Sequence, residues 1–320
     1  MRERFMNSGH KLVVTGAGGF LGQRLVERLK DGGQFRVYAL SSRPDALREQ
    51  TGGRAVEYLH RDFIETDRAP ELLRGAALVN CAYPRNSAGT EIADGLRYIQ
   101  RLYWLAARSG ASAIVNISSQ SVYSQRRTEA ATETTPVCPE SPYAVGKYAV
   151  ELMLESVCRE SGTAYTSLRM ASLIGPGFDQ RIVNRLAMKL LRRESVTIVR
   201  QDKEMGFLDV EDAVGAIVAV LACPRERWAP VYNVGNGRGY TAEDVFHAVA
   251  DVLRTRMEVD DAALEQGSEV SSTAVSFERL HRDTGFVPAV SLHDSVERIV
   301  DRLCEGTPGS PTLPERGRRL

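Results

Sequence analysis

Residues 11–22, KLVVTGAGGFLG, join a short apolar run to a glycine-rich turn and then to a helical repeat. KLVVT does not alternate polar with apolar, as expected of a strand covered on both faces. Gly16, Gly19 and Gly22 follow at GxxGxxG spacing, and Leu21, Leu25 and Leu29 then recur on one face of a helix predicted over 20–30. A strand that turns into a helix in this way opens a βαβ unit, and its next strand lies parallel. The pattern repeats. RVYAL (36–40), AVEYLHRD (55–62), AALVNCAY (76–83), SAIVNISS (112–119) and TAYTSLRMA (163–171) read as further strands with helical patterns interleaved. The expected fold is α/β, a doubly wound parallel sheet with a smaller C-terminal substrate-binding lobe.

GPG at 175–177 breaks that rhythm. A dinucleotide-binding domain is expected over 10–176 and a substrate-binding lobe over 177–305, with 206–235 returning to the first domain. The Gly-, Pro- and Arg-rich tail, 306–320, is expected to be disordered. A chain of 320 residues with 43% hydrophobic content can build a large core. Its 41 basic and 41 acidic side chains balance, so no overall field draws it to nucleic acid or to an anionic membrane. The absence of a long apolar run or a signal-peptide pattern points to a cytoplasmic protein. Five scattered cysteines and five scattered histidines form no CxxC or HExxH motif, so neither disulfides nor a metal site are expected.

The glycine turn is suited to a dinucleotide. Glycine permits close backbone approach, and the helix N-terminus, where Phe20 and Leu21 open the helix, offers free N–H groups to a pyrophosphate. The strand at 36–40 runs into Ser41, Ser42 and Arg43, with no acid there to accept the ribose 2′-OH of NAD. Hydroxyls and a guanidinium suit a 2′-phosphate, which favours NADP over NAD. Asp62, after the third strand, is a candidate for the adenine. Further on, SPYAVGKYAV sets Tyr143 and Lys147 one helical turn apart. A phenol of pKa about 10 moves protons slowly at neutral pH unless a cation stabilises its anion, and Lys147 is the expected cation. Ser119, at the end of a strand, is placed to hold a substrate oxygen against that phenol.

Taken with LRMASLIGPG (168–177), FLDVEDAV (207–214), YNVGNGRGYT (232–241) and TGFVPAVSL (284–292), these motifs make the chain resemble the extended short-chain dehydrogenase/reductases of the NAD-dependent epimerase/dehydratase family, the nucleotide-sugar modifying type. The resemblance implies Ser119, Tyr143 and Lys147 as the catalytic group, with Lys147 also on the nicotinamide ribose, and a homodimer paired through two helices. The departures are informative. Family dehydratases carry an acidic pair directly after the catalytic Ser/Thr, where this chain has Gln120 and Ser121. Ser172 and Met205 stand where nucleotide-sugar binders often have asparagine and arginine. Tyr83, Arg85, Ser121, Ser172, Arg181 and Met205 are the residues expected on the substrate side. The reading that results is an NADP-dependent ketoreductase of a keto-sugar, a nucleotide-linked 4-keto-6-deoxyhexose. The alternatives are a nucleotide-sugar 4-epimerase with retained NAD, a reductase of a non-sugar ketone, and a nonenzymatic cofactor-sensing protein.

Overall fold

Leu12, Val13 and Val14 are fully buried in β1 (His10–Thr15), because helices cover both faces of the sheet and neither side of the strand meets water. The computed structural model describes residues 10–305 except 32, 54 and 85–88. After β1 come α1 (Phe20–Leu29), β2 (Phe35–Ser41), α2 (Pro44–Thr51), β3 (Val56–His60), α3 (Ala69–Leu73) and β4 (Ala77–Asn80). Then follow α4 (Gly89–Arg108), β5 (Ala113–Ser119), α5 (Pro142–Ser161), β6 (Ala164–Met170), β7 (Ser172–Ile174) and α6 (Ile182–Leu191). The remainder comprises β8 (Thr197–Arg200), β9 (Lys203–Glu204), β10 (Phe207–Asp209), α7 (Val210–Ala222), β11 (Val231–Val234) and α8 (Ala242–Arg254). β12 (Ala263–Gln266), β13 (Ser271–Ser272), α9 (Glu278–Thr284) and α10 (Leu292–Glu305) complete the described chain.

Seven strands form one parallel sheet in the order β11-β6-β5-β4-β1-β2-β3, the doubly wound arrangement expected from the βα alternation. The order reverses between β1 and β4, which opens a crevice beyond the carboxyl ends of those strands. A buried polar chain holds these ends in register. Thr15 donates to Asn80 (2.7 Å), Asn80 to the Tyr103 hydroxyl (2.9 Å), Tyr103 to Asn116 (2.8 Å) and Asn116 to Ser167 (3.1 Å). Each side chain of this run therefore has a partner, which removes the cost of placing its two asparagines inside the sheet.

The SPY stretch starts α5 for local reasons. The Ser141 side chain accepts from the Ala144 N–H at 3.2 Å, and Pro142 takes a first-turn position where its missing N–H costs nothing. At the other end Gly162, at φ +72°, closes the helix in the left-handed conformation. Ala144, Lys147, Val150, Glu151, Leu154 and Cys158 share its buried face, so Lys147 points toward the sheet rather than into solvent.

Beyond β6 the chain builds a second apolar cluster from α6, α8 and α10 together with Phe207. β10 pairs with β7, α7 packs into the main core with α1, and β11 joins the edge of the main sheet beside β6. The acids of FLDVEDAV are structural ties. Asp209 accepts from the Ser295 hydroxyl (2.6 Å) and pairs with Arg298 (2.7 Å), while Asp212 takes the N–H groups of Ala289 and Val290. The tail expected to be disordered, 306–320, lies outside the described residues. No described helix is long and apolar enough to cross a membrane.

Candidate active site

The carboxyl ends of β1, β4, β5 and β6 meet at a cleft of about 1180 Å³. Gly16, Gly19, Phe20 and Leu21 line one end of it, with Ser41, Ser42 and Arg43 from the end of β2. Gly16 has φ +66°, and a Cβ there would stand 2.5 Å from the Ala82 nitrogen, so the turn can approach the β4 loop only as glycine. Gly22 sits inside α1 and serves packing, since a Cβ would come within 2.3 Å of the Gly16 carbonyl oxygen. Gly19 is the N-cap of α1 and no side chain caps that helix, leaving its first N–H groups for an anion. The narrow glycine cradle and this helix end fit a dinucleotide pyrophosphate.

Tyr83, Ser121, Tyr143, Lys147, Ser172 and Arg181 line the other end. Ser119 joins them through its hydroxyl, which donates to Ser121 Oγ at 3.1 Å. Burial raises the Tyr143 phenol above its ordinary range, and the Ser119 hydrogen bond and the Arg181 charge pull the other way. Arg181, at the N-cap of α6 and expected on the substrate side, is a cation that lowers the phenol's pKa. Lys147 Nζ is 5.9 Å from the Tyr143 ring centre and donates to the Ile117 carbonyl oxygen at 2.8 Å. Burial lowers its pKa to about 8, opposed by Cys81 and Glu151.

Gln120 and Ser121, which replace the acidic pair, are neutral and occupied. Gln120 donates to Gln125 and accepts from Arg127, so its amide is engaged with the neighbouring loop. The carboxylates lining the cleft, Glu91 and Asp94, belong to the first turns of α4, and Asp94 is held by Arg97 at 2.8 Å.

Three expected residues are placed differently, or not described. Asp62 is exposed and engaged by His60 and Arg61, and its neighbour Arg61 lines the cleft in its stead. Met205 pairs its backbone with Tyr240 (2.8 and 3.0 Å) and packs against the second cluster, away from the cleft wall. Arg85 lies outside the described residues. Conversely, Gly18, Cys81 and Phe178 line the cleft without having been expected. Phe178 stacks on Phe20 at 4.3 Å, and the Arg181 guanidinium lies 4.8 Å from the centre of the Phe178 ring, joining the glycine turn to the start of α6. Gly18 was legible in TGAGGFLG; the Phe20–Phe178 contact crosses too much sequence to be read from spacing.

Over residues 12–235 the sequence matches the NAD dependent epimerase/dehydratase family. The chain belongs to that family. Among curated relatives of this family member, GDP-6-deoxy-D-mannose reductase of Pseudomonas aeruginosa is 28% identical over 91% of this chain and 96% of its own length. A dTDP-glucose 4,6-dehydratase of Streptomyces griseus is 24% identical over 90% and 92%. The family fold is equally plain in solved structures. UDP-glucuronic acid 4-epimerase from Bacillus cereus in complex with NAD superposes with a TM-score of 0.80 at 20% identity, covering 92% of this chain and 97% of that one.

Proposed function

We propose that this family member is a ketoreductase using NADPH and a nucleotide-linked 4-keto-6-deoxyhexose. The observation that carries this reading is the setting of Tyr143: a half-buried phenol on the cleft it shares with Ser121, raised by desolvation so that it stays protonated at neutral pH, with no acid at the two positions after Ser119. Eliminating water needs a second acid and base beside the phenol, and a neutral amide and hydroxyl supply neither. The similarity to a GDP-6-deoxy-D-mannose reductase supports the same chemistry.

In this reading the glycine turn and the first N–H groups of α1 bind the pyrophosphate, and Ser42 and Arg43 bind the 2′-phosphate. The reduced nicotinamide supplies the hydride. Ser119 donates a hydrogen bond to the substrate carbonyl oxygen, and Tyr143 transfers its phenolic proton to that oxygen as the carbon is reduced, giving the alcohol. A protonated phenol is the form that reduction consumes, so burial favours the proton-donating direction. Arg181 stabilises the phenolate left behind until a proton returns. Lys147 holds the nicotinamide ribose. Arg181 also provides a cation at the substrate end, where Met205 offers none.

We further read α5 as half of a dimer face, since Val145 and Leu152 are 53% and 48% exposed seven residues apart on one side of it, and α4 exposes Trp104. Sedimentation velocity of the native chain tests this, and a monomer at micromolar concentration rejects it.

The test of the reaction is stoichiometric. Purified protein given GDP- or dTDP-linked 4-keto-6-deoxyhexose should consume one NADPH per ketone and release the alcohol. Cofactor that co-purifies and resists dialysis, with sugars interconverting and no net NADPH consumed, would replace this reading with the 4-epimerase.

A further inference from the structure

The loop leaving β4 sets a large aromatic ring against the face of α5 that carries Lys147. The Lys147 ammonium lies 4.1 Å from the centre of the Tyr83 ring. That ring meets Tyr143 edge to face, with centres 5.3 Å apart and planes at 83°. Its hydroxyl donates to the Tyr143 backbone oxygen at 3.3 Å. Room for the hydroxyl exists because residue 146 has no side chain: a Cβ there would stand 2.2 Å from the Tyr83 hydroxyl oxygen and 3.5 Å from the ring carbon bearing it. Glycine is a poor choice inside a helix, and α5 imposes no positive φ on Gly146 that would call for one. The glycine is explained by the tyrosine.

We propose that Tyr83 and Gly146 act as a matched pair, in which the Tyr83 ring is a positioning residue that seats the Lys147 ammonium beside Tyr143. A charged ammonium in a dry site needs compensation. Besides the Ile117 carbonyl, the groups facing Lys147 are Glu151 one turn along α5, Cys81 from the β4 loop, and the two tyrosine rings. Glu151 is already committed to Arg169 and Ser118, and the Cys81 thiol is pushed up to about 12 by burial and stays neutral. The ring face supplies attraction without drawing the ammonium into an ion pair that would pull it off the cleft. This inference deepens the reductase reading and rests on it for the role of Lys147.

Two measurements test the pair. In the first, thermal melting is followed for Gly146→Ala, Tyr83→Phe and the double variant. Gly146→Ala should melt several degrees lower, and Tyr83→Phe, which removes the clashing oxygen and keeps the ring, should restore the loss in the double variant. Additive effects would overturn the pairing. In the second, the pH dependence of NADPH affinity and of turnover is recorded for Tyr83→Phe and Tyr83→Leu. The alkaline limb should hold for Tyr83→Phe and fall by about 0.5–1.5 pH units for Tyr83→Leu, the range expected from a desolvated cation–π contact. A limb that stays or rises in Tyr83→Leu would remove the positioning role. Melting and NADPH affinity need no keto-sugar, so failure of the substrate reading leaves them readable. Turnover on the keto-sugar with additive melting would reject the pair alone.

Discussion

Glu151 grips the Arg169 guanidinium through both carboxylate oxygens, at 2.7–3.2 Å, one helical turn beyond Lys147 on the buried face of α5. The pair is almost fully enclosed. Arg169 continues to the Tyr123 hydroxyl (2.8 Å), which donates to Asn233 (2.8 Å), so one polar network spans α5, β6 and β11 behind the cleft. Ser118 closes it by donating to Glu151.

Removing one partner of such a pair strands the other charge in the core. Glu151→Ala is expected to cost about 3–5 kcal/mol, read by chemical denaturation. Replacing both residues with apolar ones of similar volume should recover most of it. A Glu151→Ala protein within about 1 kcal/mol of the parent would show that water already reaches Arg169.

Tyr143→Phe removes the transferable proton and leaves the ring. Turnover should fall by roughly 10²–10⁴, the usual worth of a positioned acid, with NADPH affinity nearly unchanged by calorimetry. Activity retained in this variant would end the proton-relay assignment.

The lowered pKa of Lys147 has a sign that can be checked. Its folded value, about 8, lies below the unfolded value of about 10.4, so between them the unfolded chain binds more protons and stability rises with pH across that window. Below pH 8 the buried charge is a net cost. Lys147→Met should therefore stabilise the protein at pH 7 by roughly 1–2 kcal/mol, part of the gain being offset by the lost contacts to Ile117 and Tyr83, while turnover is lost. A melting temperature lower than the parent's at pH 7 would show that those contacts outweigh the burial cost.

Arg43 lines the cleft beside Ser41, whose hydroxyl accepts from the Arg43 N–H at 3.1 Å. Arg43→Ala should weaken NADPH about 10–100-fold and NADH less than about 2-fold, as expected for one charge-assisted phosphate contact. Equal losses for the two cofactors would place Arg43 outside the 2′-phosphate site.

What was legible in the sequence was whatever is carried by neighbours along the chain. The apolar run of β1, the glycines at 16, 19 and 22, the Ser141–Pro142 helix start and the one-turn spacing of Tyr143 and Lys147 are local patterns, and backbone geometry converts them directly into strand, turn and helix face. Those patterns announced the doubly wound sheet and the main cleft residues. Tertiary structure decided which way the residues on that face are used. Spacing put Lys147 beside Tyr143, and packing turned its ammonium toward the Ile117 carbonyl and the Tyr83 ring, while the start of α6 placed Arg181 on the same cleft, where its charge acts on the phenol. Asp62, a plausible adenine partner by position, was taken by His60 and Arg61. The pairs Glu151–Arg169, Tyr83–Gly146 and Phe20–Phe178 link segments with no shared periodicity. Such contacts depend on how helices seat on the sheet, and one sequence carries no local signal for that.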